Sequence, residues 1–302
     1  TATTGTTTAT TAPAPAPQTW RTRASAPMAR QEVAAAELDG KVWVVGGLTA
    51  SDATARVESY DPGADRWARG PDLPITLHHL TVVAYRGELV VVGGFQGGGG
   101  GLYGGPTDRV LALRGGAWVD LPRLRRPRGA AGAAVVGDRI YLVGGRDNNL
   151  LIAPTEVFDG TSWQDRAPIP SPRDHLAVAA DGRGVYAAAG RLLDPNAMTG
   201  AFERYDPGRD AWETLAAVPT PRGGLAASFL GTRLVTSGGE SASRVFPQVE
   251  AYDTAANAWS ALPNMPVPRH GHGGATAGGA VLTLVGATSA GVDPSAVTEA
   301  LS

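Results

Sequence analysis

The chain of 302 residues has no cysteine. That excludes disulfide bridges, thiolate metal centres and a cysteine nucleophile, while leaving the redox compartment open. Lysine is nearly absent as well: Lys41 stands alone, so almost all positive charge is arginine. Charged residues make up 18% of the chain and the net charge is −2. Such a balance gives neither the basic footprint of a nucleic-acid binder nor an acidic tail. No apolar run reaches the roughly 18 residues that a membrane helix needs. The sequence signatures of a Ser hydrolase elbow, a phosphate-binding Walker loop and a His-Glu-x-x-His zinc site are missing too.

Glycine (41) and proline (23) are plentiful, and 43% of residues are hydrophobic. Many tight turns around a substantial core are therefore expected. Residues 1–18 stand apart as a Thr/Ala/Pro tail, TATTGTTTATTAPAPAPQ, with nothing to bury. Together with a first residue that is Thr, it suggests a mature exported protein at the cell surface or outside the cell. About 17 such residues reach about 50 Å when extended. The tail, with Thr1, Thr6, Thr11 and Pro13 as candidate contacts, is expected to join copies of the chain into an extracellular homopolymer.

Residues 19–302 are periodic. A Gly-Gly pair closes an apolar run at Gly46-Gly47, Gly93-Gly94, Gly144-Gly145 and Gly238-Gly239, with degenerate copies at Ala189-Gly190 and Val285-Gly286. Trp20, Trp67, Trp118, Trp163, Trp212 and Trp259 each lie 26 residues upstream of a pair. Ten residues after each tryptophan come Arg30, Leu77, Arg128, Arg173, Arg222 and Arg269. Strand signals fill the unit: Asp39-Gly40 between two apolar runs is a hairpin signal, since both turn positions need positive φ. A third strand ends at Ser59-Tyr60-Asp61-Pro62 and a fourth begins at Trp67. Four strands in about 50 residues make a propeller blade.

Gly-Gly with downstream Tyr-Asp and Trp at these spacings resembles the kelch repeat, and the resemblance covers residues 19–302. It implies an all-β, six-bladed propeller used mostly for binding; the copper cofactor that some kelch-like proteins build on a Cys–Tyr pair is excluded by the absence of cysteine, and no cofactor is expected. The last copy lacks a fourth strand, while Trp20 begins a surplus strand at the other end. The N-terminal strand is therefore expected to complete the last blade and remove an open edge.

Length variation falls between each Gly-Gly and the next tryptophan, so the long-loop end is the expected binding face for a protein or glycan. Five arginines recur with Glu58, Glu156, Glu203, Glu250 and Glu299, whereas the second copy has Leu77 and Leu111 instead. Joint loss is what buried ion pairs predict. His79, His175 and His270 (with His78 and His272) fall just after the arginine position in alternate copies. They are candidates for the channel mouth and, with no carboxylate at supporting spacing, are expected to hold no metal. Arg146 and Arg191 follow glycine pairs, and Phe95 and Tyr103 flank a glycine run. In kelch-like proteins the position after the pair often faces a ligand, which makes the two arginines candidates, and a glycine run can flex to present Phe95 and Tyr103 as aromatic contacts. An alternative, also by resemblance, is a carbohydrate-active enzyme of the sialic-acid epimerase kind, with Glu32, Arg173, His175 and Arg269 as its pocket.

Overall fold

In a computed structural model, residues 18–97 and 104–302 are described. The tail candidates Thr1, Thr6, Thr11 and Pro13, and Tyr103 in the glycine run, lie outside them. The described chain is all β, with no helix long and apolar enough to cross a membrane.

Six four-stranded antiparallel sheets follow one another. Their inner strands are Ala34–Leu38, Thr81–Tyr85, Gly132–Val136, Ala177–Ala180, Ala226–Leu230 and Gly273–Ala277. Each packs against the next and the last against the first, which closes a six-bladed ring. These strands are rich in Ala, Gly and Val because six of them converge on one axis. A Cβ on Gly132 would sit 2.4 Å from Val178, and one on Gly274 would sit 2.4 Å from Ala226.

The seam closes as expected. Trp20–Thr22 pairs with Pro294–Leu301, placing Trp20 opposite Leu301, so the sixth blade takes its outer strand from the N-terminus. Six apolar clusters fill the spaces between and within blades. The tryptophans do more than fill space. Each indole N–H donates to a carbonyl of the neighbouring blade: Trp20 to Pro263, Trp67 to Ala24, Trp118 to Pro71, Trp163 to Pro122, Trp212 to Ala167 and Trp259 to Ala216, at 2.7–3.1 Å. Every acceptor lies four residues after the previous tryptophan. One bond repeated six times explains the invariant tryptophan: the ring packs against the blade while its N–H finds a partner.

The arginines are pinned inside the blades. Arg30, Arg173, Arg222 and Arg269 meet Glu58, Glu203, Glu250 and Glu299 at 2.5–2.7 Å, and Arg128 meets Glu156; all five guanidiniums are fully buried. Burial pulls Arg30, Arg128 and Arg269 down to about 10 against the pull of their glutamates, so they stay charged at neutral pH. In the second blade Leu77 and Leu111 are buried in the same apolar cluster. The ion pair is replaced there by hydrocarbon on both sides.

The degenerate glycine pairs have a backbone reason. Ala189 and Val285 occupy φ of 51° and 53°, a left-handed conformation that L-residues tolerate at some cost. The second member is glycine in all six copies. At Gly94, with φ of 112°, a Cβ would lie 2.9 Å from that of Leu80.

Candidate functional site

Twelve residues after each tryptophan the chain reaches the axis at Glu32, His79, Ala130, His175, Gly224 and Gly271. All six have φ between 50° and 63°. Their backbones are chained around the axis: His79 N–H donates to Glu32 C=O, Ala130 to His79, His175 to Ala130, Gly224 to His175 and Gly271 to Gly224, at 2.8–2.9 Å. At the seam Val33 N–H takes over, reaching Gly271 C=O at 3.3 Å. Four non-glycine residues are thus held in a left-handed conformation by a ring of hydrogen bonds. Each costs of order 1 kcal/mol, and such strain concentrates at functional positions.

A second ring surrounds the first. The residue before each axial position forms a β-bridge or a short strand pair with the residue after the glycine pair: Gln31 with Leu48, His78 with Phe95, Gly129 with Arg146, Asp174 with Arg191, Gly223 with Glu240 and His270 with Ala287. Together these rings line a polar cavity of about 110 Å³ at the long-loop mouth, bounded by Glu32, His79, Phe95, Arg146, His175, Arg191, Glu240 and His270. A second cavity of about 90 Å³ lies in the channel and shares Glu32, His79 and His175 with the first. These three side chains form the constriction between them.

The constriction is a charge network. Glu32 Oε2 lies 3.1 Å from His79 Nε2, and Oε1 lies 3.2 Å from His270 Nδ1. His270 Nε2 faces Glu240 Oε2 at 3.4 Å. On the other side the buried Asp174 carboxylate bonds His175 Nδ1, pairs with Arg191 Nε at 3.1 Å and faces Arg146 Nε at 3.6 Å. Burial pushes the Glu32 carboxyl up, but the imidazoles of His79, His270 and His175 more than offset it and hold it well below the usual range. Burial holds His79 well below its ordinary value, against the pull of Glu32. Burial also lowers His270, yet Glu32 and Glu240 outweigh it and leave it raised. Desolvation raises Glu240.

The fold therefore brings Arg146, Arg191, His79, His175, His270 and Phe95 into one mouth. Phe95 is not a presented aromatic. It is 2% exposed and forms a wall, with the Arg146 guanidinium 5.2 Å above its ring and the His78 ring 5.7 Å away. His272 lies below, in the channel, with Nε2 3.1 Å from Ser237 Oγ. The epimerase-like pocket does not assemble: Glu32 and His175 reach the mouth, but Arg173 and Arg269 are fully buried against Glu203 and Glu299. Carboxylates, which no local spacing in the sequence indicated, do reach the histidines, as Glu32, Asp174 and Glu240. Glu32 entered the sequence reading only through the enzyme alternative. Asp174 and Glu240 were missed there, although they occupy the same two repeat positions as His270 and Arg191.

The Kelch motif family matches residues 29–74, 127–160 and 221–266, which carry the first, third and fifth blades. The chain is a six-bladed kelch-repeat propeller. The kelch-like protein terF of Aspergillus terreus is 29% identical over 243 residues, covering 73% of this chain and 52% of that protein. Kelch repeat protein M-T8 of myxoma virus is 34% identical over 128 residues, or 42% of this chain and 24% of its own length. Beta-scruin of Limulus polyphemus is 28% identical over 237 residues, covering 74% of this propeller and 26% of beta-scruin. The chain thus spans about half or less of these relatives. Among solved structures the kelch propeller is similar to YjhT, with a TM-score of 0.78 over 91% of this chain and 95% of the other. At 17% identity that likeness concerns the fold alone.

Proposed function

We propose that this kelch propeller is a binding module, and that a protein or glycan partner engages its long-loop mouth through Arg146 and Arg191. One observation carries the reading. Both arginines stand at the lip of an otherwise buried polar cluster, with side chains 24% and 15% exposed, and both are aimed by the same buried Asp174. Guanidiniums oriented in advance lose less side-chain entropy on binding, and their forked donors suit carboxylate and other oxygen acceptors. The constricted channel beneath favours recognition at the lip over passage of a ligand through the axis. Protein and glycan arrays probed with the full chain and with Arg146→Ala/Arg191→Ala test this. Specific capture that falls at least tenfold in the double variant is expected. Equal capture by both chains, or none by either, refutes it.

The reading also includes export and assembly through the Thr-rich tail, supported by the composition of residues 1–18. Deleting residues 1–17 should leave a folded propeller that no longer associates. Light scattering that shows unchanged assembly, or a full chain that is monomeric at every concentration, removes this part.

A further inference from the structure

We propose that Glu32, His79 and His175 form a binding site for one divalent first-row transition-metal ion, with its remaining coordination positions open to the mouth. The inference goes beyond partner binding and does not depend on the partner's identity.

Three observations carry it. The first is convergence. One donor atom from each of the three side chains falls in a group whose members lie within 4.8 Å of one another. Metal–ligand distances of 2.0–2.2 Å bring donors to roughly 3.3 Å separation, so closing on an ion needs only side-chain adjustments. The donors come from three different blades, and their backbones are fixed by the axial ring of hydrogen bonds. The scaffold is therefore organised before any ion arrives.

The second is the chemistry and support of the donor set. Two imidazoles and one carboxylate with open positions suit zinc or ferrous iron better than calcium or magnesium. His175 gives its Nδ1 to the buried Asp174 carboxylate, the arrangement that orients a metal-binding imidazole through its other nitrogen. His79 has Nδ1 2.6 Å from His78 Nδ1, while its Nε2 faces Glu32. The second nitrogen of His79 thus already points at the Glu32 carboxylate, while the second nitrogen of His175 is met by Arg191 Nη2 at 3.0 Å, a contact the ion would replace.

The third is space. The axial positions in the other three blades are Ala130, Gly224 and Gly271, with little or no side chain. A Cβ on Gly271 would come within 2.6 Å of the Glu32 carboxyl. The site opens upward into the mouth cavity, which gives an ion an entry path. A neighbouring group, Glu32 with Glu240 and His270, shares the same glutamate, and the variants below separate the two. Arg191, within 3.0 Å of the His175 ring, opposes a dication. The adjacent Asp174 neutralises that charge.

The full chain, stripped with chelator, is titrated with Zn²⁺ by calorimetry and with Co²⁺ by visible absorption. One ion per chain is expected, with affinity falling at least a hundredfold in Glu32→Gln and in His79→Ala and changing less than about tenfold in Glu240→Gln. X-ray absorption of the zinc-loaded wild type, which needs no variant to fold, should show two imidazoles and a carboxylate oxygen. The proposal is overturned by the absence of binding. It is equally overturned by binding that survives Glu32→Gln and His79→Ala, by binding lost in Glu240→Gln but kept in His79→Ala, or by an absorption spectrum without imidazole.

Discussion

Replacing Arg173, Glu203 or both by leucine tests whether the buried ion pairs are structural. Arg173 and Glu203 are 0% and 1% exposed and meet at 2.5 Å. The guanidinium also donates to the carbonyls of Ala189, Ser171, Ala187 and Ala201 at 2.6–3.2 Å. Removing either partner leaves the other charge buried without its counter-ion, at a cost of about 3–5 kcal/mol. A Coulomb attraction of about 4 kcal/mol at an effective dielectric of 20 has the same size. Removing both eliminates the stranded charge, and the second blade shows the result, with Leu77 and Leu111 buried there instead. What remains is about 1 kcal/mol for each carbonyl that loses a donor, roughly 4 kcal/mol in all. The double variant should thus cost far less than the sum of the singles, with a coupling of at least about 3 kcal/mol. Urea unfolding of the four chains, followed by tryptophan fluorescence, measures it. Additivity to within about 0.5 kcal/mol would mean that the pair contributes nothing as a pair, and the reasoning fails.

Trimming the chain through Arg23 removes the outer strand of the last blade and the Trp20 bond to Pro263. Loss of a packed Trp costs about 3–5 kcal/mol, so the melting temperature should fall by roughly 10 °C; an unchanged melt contradicts closure at this seam. Gly94→Ala, at φ of 112° and 2.9 Å from the Leu80 Cβ, should lose at least about 2 kcal/mol. Ala189→Gly, at φ of 51°, should lose nothing measurable by the same melt. Acid should weaken the fold partly through His272, which burial and then Arg269 push down to about 3. Below the ordinary value of about 6.5 the unfolded chain takes up a proton that the folded chain refuses, so stability falls as pH drops toward 3. At pH 5 that is about 2 kcal/mol, and His272→Leu should flatten the decline; an unaltered slope in urea titrations between pH 7 and 5 rules it out.

The amino-acid order alone determined the blades. Tryptophan, arginine and glycine recur at constant spacing because each marks a bond made afresh in every unit: the indole to the neighbouring blade, the guanidinium to its glutamate, the glycine at a crowded left-handed turn. Such contacts depend on local register, so a repeat displays them. Even ring closure was legible, since one strand is missing at one end and surplus at the other. Only the tertiary structure decided the mouth. Glu32 and His270 are 238 residues apart in sequence and 3.2 Å apart in space. Glu32, His79 and His175 meet because six equivalent positions converge on one axis. In sequence each is merely the residue twelve after a tryptophan, where Ala130, Gly224 and Gly271 serve the backbone equally well. The repeat dictates the geometry of that position and leaves its side chain open, so its chemistry emerges only when the ring assembles all six.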